Sequence, residues 1–134
     1  VCFCEAPLSR EKVFVRFVRR IHAAPEHSAV VAVLCQADKL VILSDIDGFF
    51  DKDPRLYKDA QLIRQIDRID DSVYKLAGRA GSRRGTGGMR TKLQAADLAT
   101  AQGIDTVVTN GKDPAILYKV VEGEPAGTIF KGRR

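Results

Sequence analysis

Length and composition describe one packed domain and exclude two classes of protein. The 134 residues are 45% hydrophobic and 29% charged, as in soluble globular domains, which excludes a disordered chain. No apolar run reaches the roughly 18 residues that a membrane-spanning helix needs, and the start shows no signal-peptide pattern, so we expect a cytoplasmic protein. The formal net charge of +5 suits a polyanionic ligand, either a nucleotide triphosphate or a nucleic acid.

The first predicted elements lie in the first half of the chain. The apolar run at residues 29–35 is predicted to close a buried helix. Residues 39–43 form a short apolar run that is rich in β-branched side chains, which predicts a buried strand. Turn-forming residues follow at 47–48 and 51–54.

Residues 59–76 allow two interpretations. Apolar side chains recur there with the 4-3-4-3 spacing of one helix face, at Leu62, Ile66, Ile69, Val73 and Leu76. Alternatively, residues 62–66 form a short strand and a helix covers only residues 70–77. The spacing does not decide between them.

A glycine- and arginine-rich loop at residues 78–88 leads to the last predicted elements. Thr91 is placed to cap the start of a helix over residues 92–102, and Gly103 is placed to end that helix. A strand is predicted at residues 106–109.

The order of these elements predicts the fold class. A strand, a loop, a helix and a second strand follow one another, as in a parallel sheet covered by helices. We therefore predict an α/β fold in which residues 39–43 and 106–109 are parallel strands of one sheet.

The cysteines and histidines do not form a recognisable metal-binding pattern. Cys2, Cys4 and Cys35 are an odd set, and neither His22 nor His27 has zinc-ligand spacing to them. We expect reduced thiols and surface histidines, with metal binding as the alternative. No residue is assigned as a metal ligand.

The stretch GTGGMRTK at residues 85–92 has the chemistry of a phosphate-binding loop. Glycines let backbone N–H groups approach oxyanions closely, and the helix that follows directs its positive end to the same place. Arg90 and Lys92 add positive charge. The spacing is not that of a Walker A loop. The alternatives are a flexible surface loop or a nucleic-acid contact of the RGG type.

The stretch SDIDGFFDKDPR at residues 44–55 follows the first predicted strand directly. Ligands of open α/β sheets bind beyond the carboxyl ends of strands, so Ser44 and Asp45 are placed to meet one. Phe49 and Phe50 either flank an adenine or pack in the core. The alternative for the acidic residues is a solvated turn.

Together these motifs resemble the glutamate 5-kinases, a group within the amino-acid kinases. SDIDGFFDKDPR, AGSRRGTGGMRTKLQAADLATAQGIDTVVTNG and the tail ILYKVVEGEPAGTIF carry the resemblance, which runs almost continuously from residue 28 to residue 130. It implies an αβα sandwich with a mainly parallel sheet, incomplete at its N-terminal side. Residues 28–134 would form the C-terminal, ATP-binding part of such a domain, whereas residues 1–27 resemble nothing in the family.

The resemblance also implies a reaction and its residues. ATP with Mg²⁺ would phosphorylate the side-chain carboxylate of L-glutamate, the first step of proline biosynthesis, in a homo-oligomeric enzyme that does not bind nucleic acid. Lys92 matches the family lysine that stabilises the transferring phosphoryl group. The implied ATP-binding residues are Ser44, Asp45, Thr86, Gly87, Gly88, Met89, Arg90, Thr91 and Lys92. The alternatives are an aspartate- or uridylate-type kinase, or a non-catalytic module that binds nucleotide or nucleic acid.

The sequence departs from the family before the first apolar run. The family has a G-D-N-D-x-L-S-A segment there, and of residues 22–29 only Ser28 and Ala29 agree with it. Ala24 and Pro25 stand where the family has Asn and the second Asp, which serve the glutamate. No substrate residue is therefore assigned, and we expect the chain by itself to be inactive on glutamate.

Overall fold

A six-stranded sheet forms the centre of the computed structural model, which describes residues 2–5, 12–17, 25–79 and 88–133. The strands are β1 (Cys2–Glu5), β2 (Lys12–Phe17), β3 (Lys39–Ser44), β4 (Phe49–Phe50), β5 (Leu62–Ile63), β6 (Gln65–Ile66), β7 (Asp105–Asn110) and β8 (Thr128–Phe130). The helices are α1 (Pro25–Leu34), α2 (Asp71–Arg79), α3 (Met89–Ala101) and α4 (Ile116–Val121). No helix in the described ranges is long and apolar enough to cross a membrane.

The strand order in the large sheet is β1-β2-β3-β7-β8-β6, and β4 and β5 form a separate hairpin. The pairs β2–β3, β3–β7 and β6–β8 are parallel, whereas β1–β2 and β7–β8 are antiparallel. Leu40 faces Thr106 and Ser44 faces Asn110 across β3 and β7. The prediction of two parallel strands in one mainly parallel sheet is therefore confirmed, and their carboxyl ends lie side by side.

Helices cover both faces of this sheet. Because successive residues of a strand point to opposite faces, β3 contributes to a separate core on each side. Leu40 and Ile42 belong to a core that includes Leu93 of α3 together with alanines of α1 and α3. Val41 and Leu43 belong to a second core with Val120 of α4. The architecture is the predicted αβα sandwich.

The second interpretation of residues 59–76 is correct, and the single long helix is wrong. Ile66 pairs with Phe130 in β8, so tertiary pairing overrides the helical spacing around it. The helix begins after Asp70, whose Oδ1 accepts hydrogen bonds from the N–H groups of Ser72 (2.9 Å) and Val73 (3.2 Å). A carboxylate at this position satisfies N–H groups that the first helical turn leaves unpaired.

Helix α3 begins earlier than predicted. Its N-cap is Gly88 and its first residue is Met89, so Thr91 is not the cap. The Thr91 hydroxyl instead donates to the Gly88 carbonyl (2.7 Å) from within the first turn. The helix ends at Ala101 with Gln102 as its C-cap, one residue earlier than predicted. Gly103 follows with φ 79°, and its N–H donates to the Thr100 carbonyl (3.0 Å), as expected for a glycine just after a helix.

The cysteines are only partly described. Cys35 is an exposed free thiol in the turn after α1. The side chains of Cys2 and Cys4, and the whole of His22, lie outside the described residues, whereas His27 is exposed on α1.

Candidate nucleotide site

The carboxyl ends of β3 and β7 form the floor of the candidate site. Ser44 is buried, and its carbonyl accepts a hydrogen bond from the Gly111 N–H (2.8 Å), which joins the two strand ends. The Ser44 hydroxyl donates to Asp45 Oδ1 (3.2 Å). The Asp45 side chain is 81% exposed, so its carboxylate projects beyond the sheet edge.

The loop after β3 is tied to the loop after β7. Asn110 Nδ2 donates to Asp47 Oδ1 (2.9 Å), and Asn110 Oδ1 accepts from the Lys112 N–H (2.9 Å). One amide side chain thus fixes both loops at the sheet edge. Asn110 and Asp47 were not predicted from the sequence as members of the site. The sequence did contain a signal for Asn110. It directly follows one predicted strand, and Ser44 and Asp45 directly follow the strand predicted to be parallel to it.

Thr128 anchors the base of the first loop. It is fully buried, its Oγ1 accepts from the Phe49 N–H (2.8 Å), and its hydroxyl donates to the Ile63 carbonyl (2.6 Å). Phe49 is fully buried and packs edge-on against Phe130 at a centroid distance of 6.2 Å. Phe49 is therefore a core residue, whereas Phe50 is partly exposed.

The glycine before Thr128 allows this close packing. Gly127 has φ 61°, a conformation that glycine adopts without strain. A Cβ atom at this position would lie 2.1 Å from the Val108 carbonyl oxygen and 2.9 Å from that of Asp47. In the GTIF motif at residues 127–130, the glycine thus lets β8 approach the loop after β3.

Lys92, Asp45 and Arg55 form a charge cluster above the ends of the strands. Lys92 lies in the first turns of α3 and is only 5% exposed. Burial lowers the pKa of its ammonium; the negative charge of Asp45 opposes this shift and the positive charge of Arg55 adds to it. Arg55 Nη2 lies 3.8 Å from Asp45 Oδ2. Lys92 and Asp45 were predicted from the sequence as site residues, whereas Arg55 was not.

The remaining predicted residues divide into three groups. Met89 is 6% exposed and belongs to the core, so its backbone alone can face a ligand. Arg90 is exposed, and the Thr91 hydroxyl is bonded to Gly88. Thr86 and Gly87 lie outside the described residues. In the first turn of α3, the N–H groups of Thr91 (3.2 Å) and Lys92 (3.4 Å) both donate to the Gly88 carbonyl. The N–H groups of Met89 and Arg90 precede this bonding pattern and have no acceptor within the helix, which suits an anion.

Two clefts lie at opposite ends of the strands. A cleft of about 240 Å³ adjoins the candidate site and is lined by Asn110, Lys112, Asp113, Ala115, Ile116 and Lys119. A larger one, of about 600 Å³, adjoins Lys39 and Asp105 at the strands' amino ends. The charge cluster is at the carboxyl ends, so the smaller cleft is the one beside it.

Known proteins share both the sequence and the fold. The sequence pattern of the amino acid kinase family matches residues 26–110. Glutamate 5-kinase of Clostridium perfringens is 49% identical over 107 residues, which are 80% of this chain and 40% of that protein. Glutamate 5-kinase of Caldanaerobacter subterraneus is 50% identical over 103 residues, which are 77% of this chain and 28% of the relative.

The structural comparison agrees at the level of the fold. Uridylate kinase from Archaeoglobus fulgidus superposes with a TM-score of 0.60 at 21% identity, over 82% of this chain and 47% of that one. This chain spans less than half the length of each of these three proteins. The family pattern covers more than half of the 134 residues and includes the strand end, the first loop and Lys92. The chain belongs to the amino acid kinase family.

Proposed function

We propose that this chain is the ATP-binding part of a glutamate 5-kinase, which transfers a phosphoryl group from ATP to the side-chain carboxylate of L-glutamate. The glutamate 5-kinase relatives at 49% and 50% identity support this acceptor over aspartate or uridylate. Assembly into a homo-oligomer, a cytoplasmic location and the division between residues 27 and 28 stay predictions from the sequence.

The observation that carries the proposal is the charge cluster. Phosphoryl transfer is catalysed mainly by positioning and by electrostatic stabilisation of the transferring group. Lys92 is a buried ammonium at the start of α3, within the electrostatic range of Asp45 at the end of β3. We assign Lys92 to the transferring phosphoryl group, since a buried cation acts more strongly there than an exposed one.

The other predicted residues act on the nucleotide. Ser44 and Asp45 bound the site on the β3 side, and the backbone from Gly88 to Lys92 bounds it on the α3 side. The N–H groups of Met89 and Arg90, at the start of this turn, are suited to phosphate oxygens. We assign Thr86 and Gly87, which precede Gly88 in the sequence, to the same phosphate-binding segment.

Mg²⁺ would bind together with ATP. The described residues contain no group of three acidic, histidine or cysteine side chains placed to hold a metal. Magnesium in such enzymes is held by one or two carboxylates and the substrate phosphates, and the exposed carboxylate of Asp45 fits that role. The ion would supply charge neutralisation on the phosphates.

Glutamate binding is not assigned to any described residue. Catalysis needs the acceptor carboxylate in line with the γ-phosphate, and Pro25, which begins α1, stands where the family has an aspartate. We therefore propose that these 134 residues bind ATP but do not turn over glutamate by themselves.

Two measurements test the proposal. Calorimetric titration should show Mg-ATP binding to the 134-residue chain, and Lys92→Ala should weaken it. Joining residues 26–134 to the preceding part of the Clostridium perfringens relative should give glutamate-dependent ADP release. Turnover with aspartate or UMP instead of glutamate would overturn the assignment of glutamate as the acceptor. Binding of single-stranded RNA without binding of ATP would overturn the kinase assignment.

A further inference from the structure

The segment after β8, residues 131–133, crosses the amino end of β7 and reaches the last turn of α3. Its three N–H groups donate in order to the Ile66 carbonyl of β6 (3.0 Å), to Oδ1 of Asp105 in β7 (2.7 Å) and to the Thr100 carbonyl of α3 (2.8 Å). We call these three residues the strap. The strap thus joins the edge of the sheet and its centre to the end of α3.

A glycine and a carboxylate seat the strap closely. A Cβ atom at Gly132 would collide with the backbone carbonyl of Gly103, the residue that follows the end of α3. The side chain of Asp105 is 12% exposed, and its Oδ2 lies 3.5 Å from Nζ of Lys131. The strap therefore has little freedom to move without moving the end of α3 with it.

The side chain of Asp97 on α3 connects the strap to a second helix. Its Oδ1 accepts a hydrogen bond from Nη2 of Arg133 in the strap (2.6 Å), and its Oδ2 accepts from the hydroxyl of Tyr74 in α2 (3.3 Å). Burial raises the pKa of Tyr74, so this hydroxyl is a protonated donor at neutral pH. One carboxylate on α3 is thus bonded to both the strap and α2.

The same helix carries Lys92 near its start. Lys92 precedes Asp97 by five positions, or about 7.5 Å along the helix axis. The side chains of Arg133 and Asp97 are 48% and 35% exposed, and an ion pair this exposed contributes little to stability. A misplacement of about 1 Å, in contrast, is enough to lower the function of a site up to about 100-fold. Loss of this contact should therefore affect the site more than the stability of the fold.

We propose that the strap and Tyr74 position α3 through Asp97, so that Lys92 and the first N–H groups of the helix meet the phosphates of the nucleotide. The inference rests on the proposed ATP site. Asp97 is a positioning residue, because it acts through the helix that it shares with Lys92. Affinity for the phosphates thereby depends on a contact on the same helix, away from the charge cluster.

The first test compares the binding of ATP and adenosine to the full chain, under conditions in which urea titration shows each variant to be folded. Asp97→Ala should weaken ATP binding about 5- to 10-fold, and adenosine binding, measured by competition, less than about twofold. Asp97→Asn should lie between Asp97→Ala and the wild type, since its amide oxygen still accepts a hydrogen bond. Gly132→Ala should also weaken ATP binding, because the collision with Gly103 displaces the strap. Leu98→Ala, at the exposed next position of α3, should leave both affinities unchanged.

The second test needs no nucleotide. In amide NMR spectra of the chain alone, Asp97→Ala should shift the signals of Met89 and Arg90 at the start of α3, whereas Leu98→Ala should not. Unmoved signals in Asp97→Ala would overturn the inference. So would an equal loss of ATP and adenosine binding, or an unchanged ATP affinity, in Asp97→Ala when the wild type binds ATP. Absence of ATP binding in the wild type would instead refute the proposed function, and the amide signals would still decide whether Asp97 positions the start of α3.

Discussion

Two buried threonines on neighbouring strands should respond in opposite ways to the same substitution. Thr128 and Thr106 are both fully buried, and Thr106 faces Phe130 across β7 and β8. The Thr128 hydroxyl makes two hydrogen bonds, to Phe49 and Ile63. The Thr106 hydroxyl has no hydrogen-bond partner among the described residues. Valine has nearly the same shape as threonine, so Thr→Val removes the hydroxyl without opening a cavity.

The expected magnitudes follow from the bonding of each hydroxyl. Thr128→Val leaves a buried N–H at Phe49 and a partly buried carbonyl at Ile63 without a partner, at about 1–3 kcal/mol for each buried group. We expect a loss of about 3 kcal/mol in the free energy of unfolding, or about 10 °C in Tm. Thr106→Val removes a hydroxyl that is already unsatisfied, so we expect a gain of about 1 kcal/mol.

Equilibrium unfolding in urea on the full 134-residue chain measures both values. Thr128→Ser keeps the hydroxyl and should recover most of the loss, apart from about 1 kcal/mol for its missing methyl group. The reasoning fails if Thr128→Val stays within about 0.5 kcal/mol of the wild type. It also fails if Thr106→Val destabilises the chain as much as Thr128→Val does.

Three further predictions concern the site and its support. Burial lowers the pKa of Lys92, so the unfolded chain keeps the Lys92 proton to a higher pH than the folded chain does. The stability of the wild type should therefore rise with pH between the lowered pKa and 10.5. Lys92→Met should therefore be more stable than the wild type at neutral pH. In urea titrations this difference in stability should narrow as the pH approaches 10.5, and ATP binding should be weakened. Gly127→Ala should lower the free energy of unfolding by at least about 2 kcal/mol, because its Cβ would collide with the Val108 carbonyl. Gly123→Ala meets nothing within 4 Å and should lower it by only about 1 kcal/mol, from its left-handed backbone. Equal losses would contradict this explanation. Asn110→Ala removes the hydrogen bond to Asp47, so it should lower the free energy of unfolding by about 1 kcal/mol and raise the Kd for ATP. An unchanged Kd would argue that this amide does not position the site.

Local patterns predicted the strands that carry the site. The apolar runs at residues 39–43 and 106–109 are short and β-branched, and β3 and β7 extend them by one or two residues at their ends. The resemblance of the motifs then placed Ser44, Asp45 and Lys92 in one site. Since parallel strands end at the same sheet edge, the convergence of the two strand ends needed no knowledge of long-range contacts.

Other features depend on contacts that local patterns do not contain. Ile66 has helical spacing to its neighbours, but the pairing with Phe130 decides its conformation. Thr91 has the chemistry of a cap, yet the helix starts earlier, at Gly88. Arg55 reaches the site only because the β4–β5 loop folds back toward β3, a geometry set by Asp53 and Asp51 rather than by spacing.

The tie between Asp47 and Asn110 has a consequence for the order of folding. The two residues are 63 positions apart, and Phe49 and Thr128, just below them, are 79 positions apart. Such contacts require the closure of long loops, which is slow and entropically unfavourable until the strands between them have formed. This edge of the sheet, at the candidate site, should therefore be among the last parts of the chain to become ordered. In native-state hydrogen exchange, the Phe49 amide should therefore exchange at a lower free energy than the amides in the middle of β3 and β7, because an edge that orders last opens first.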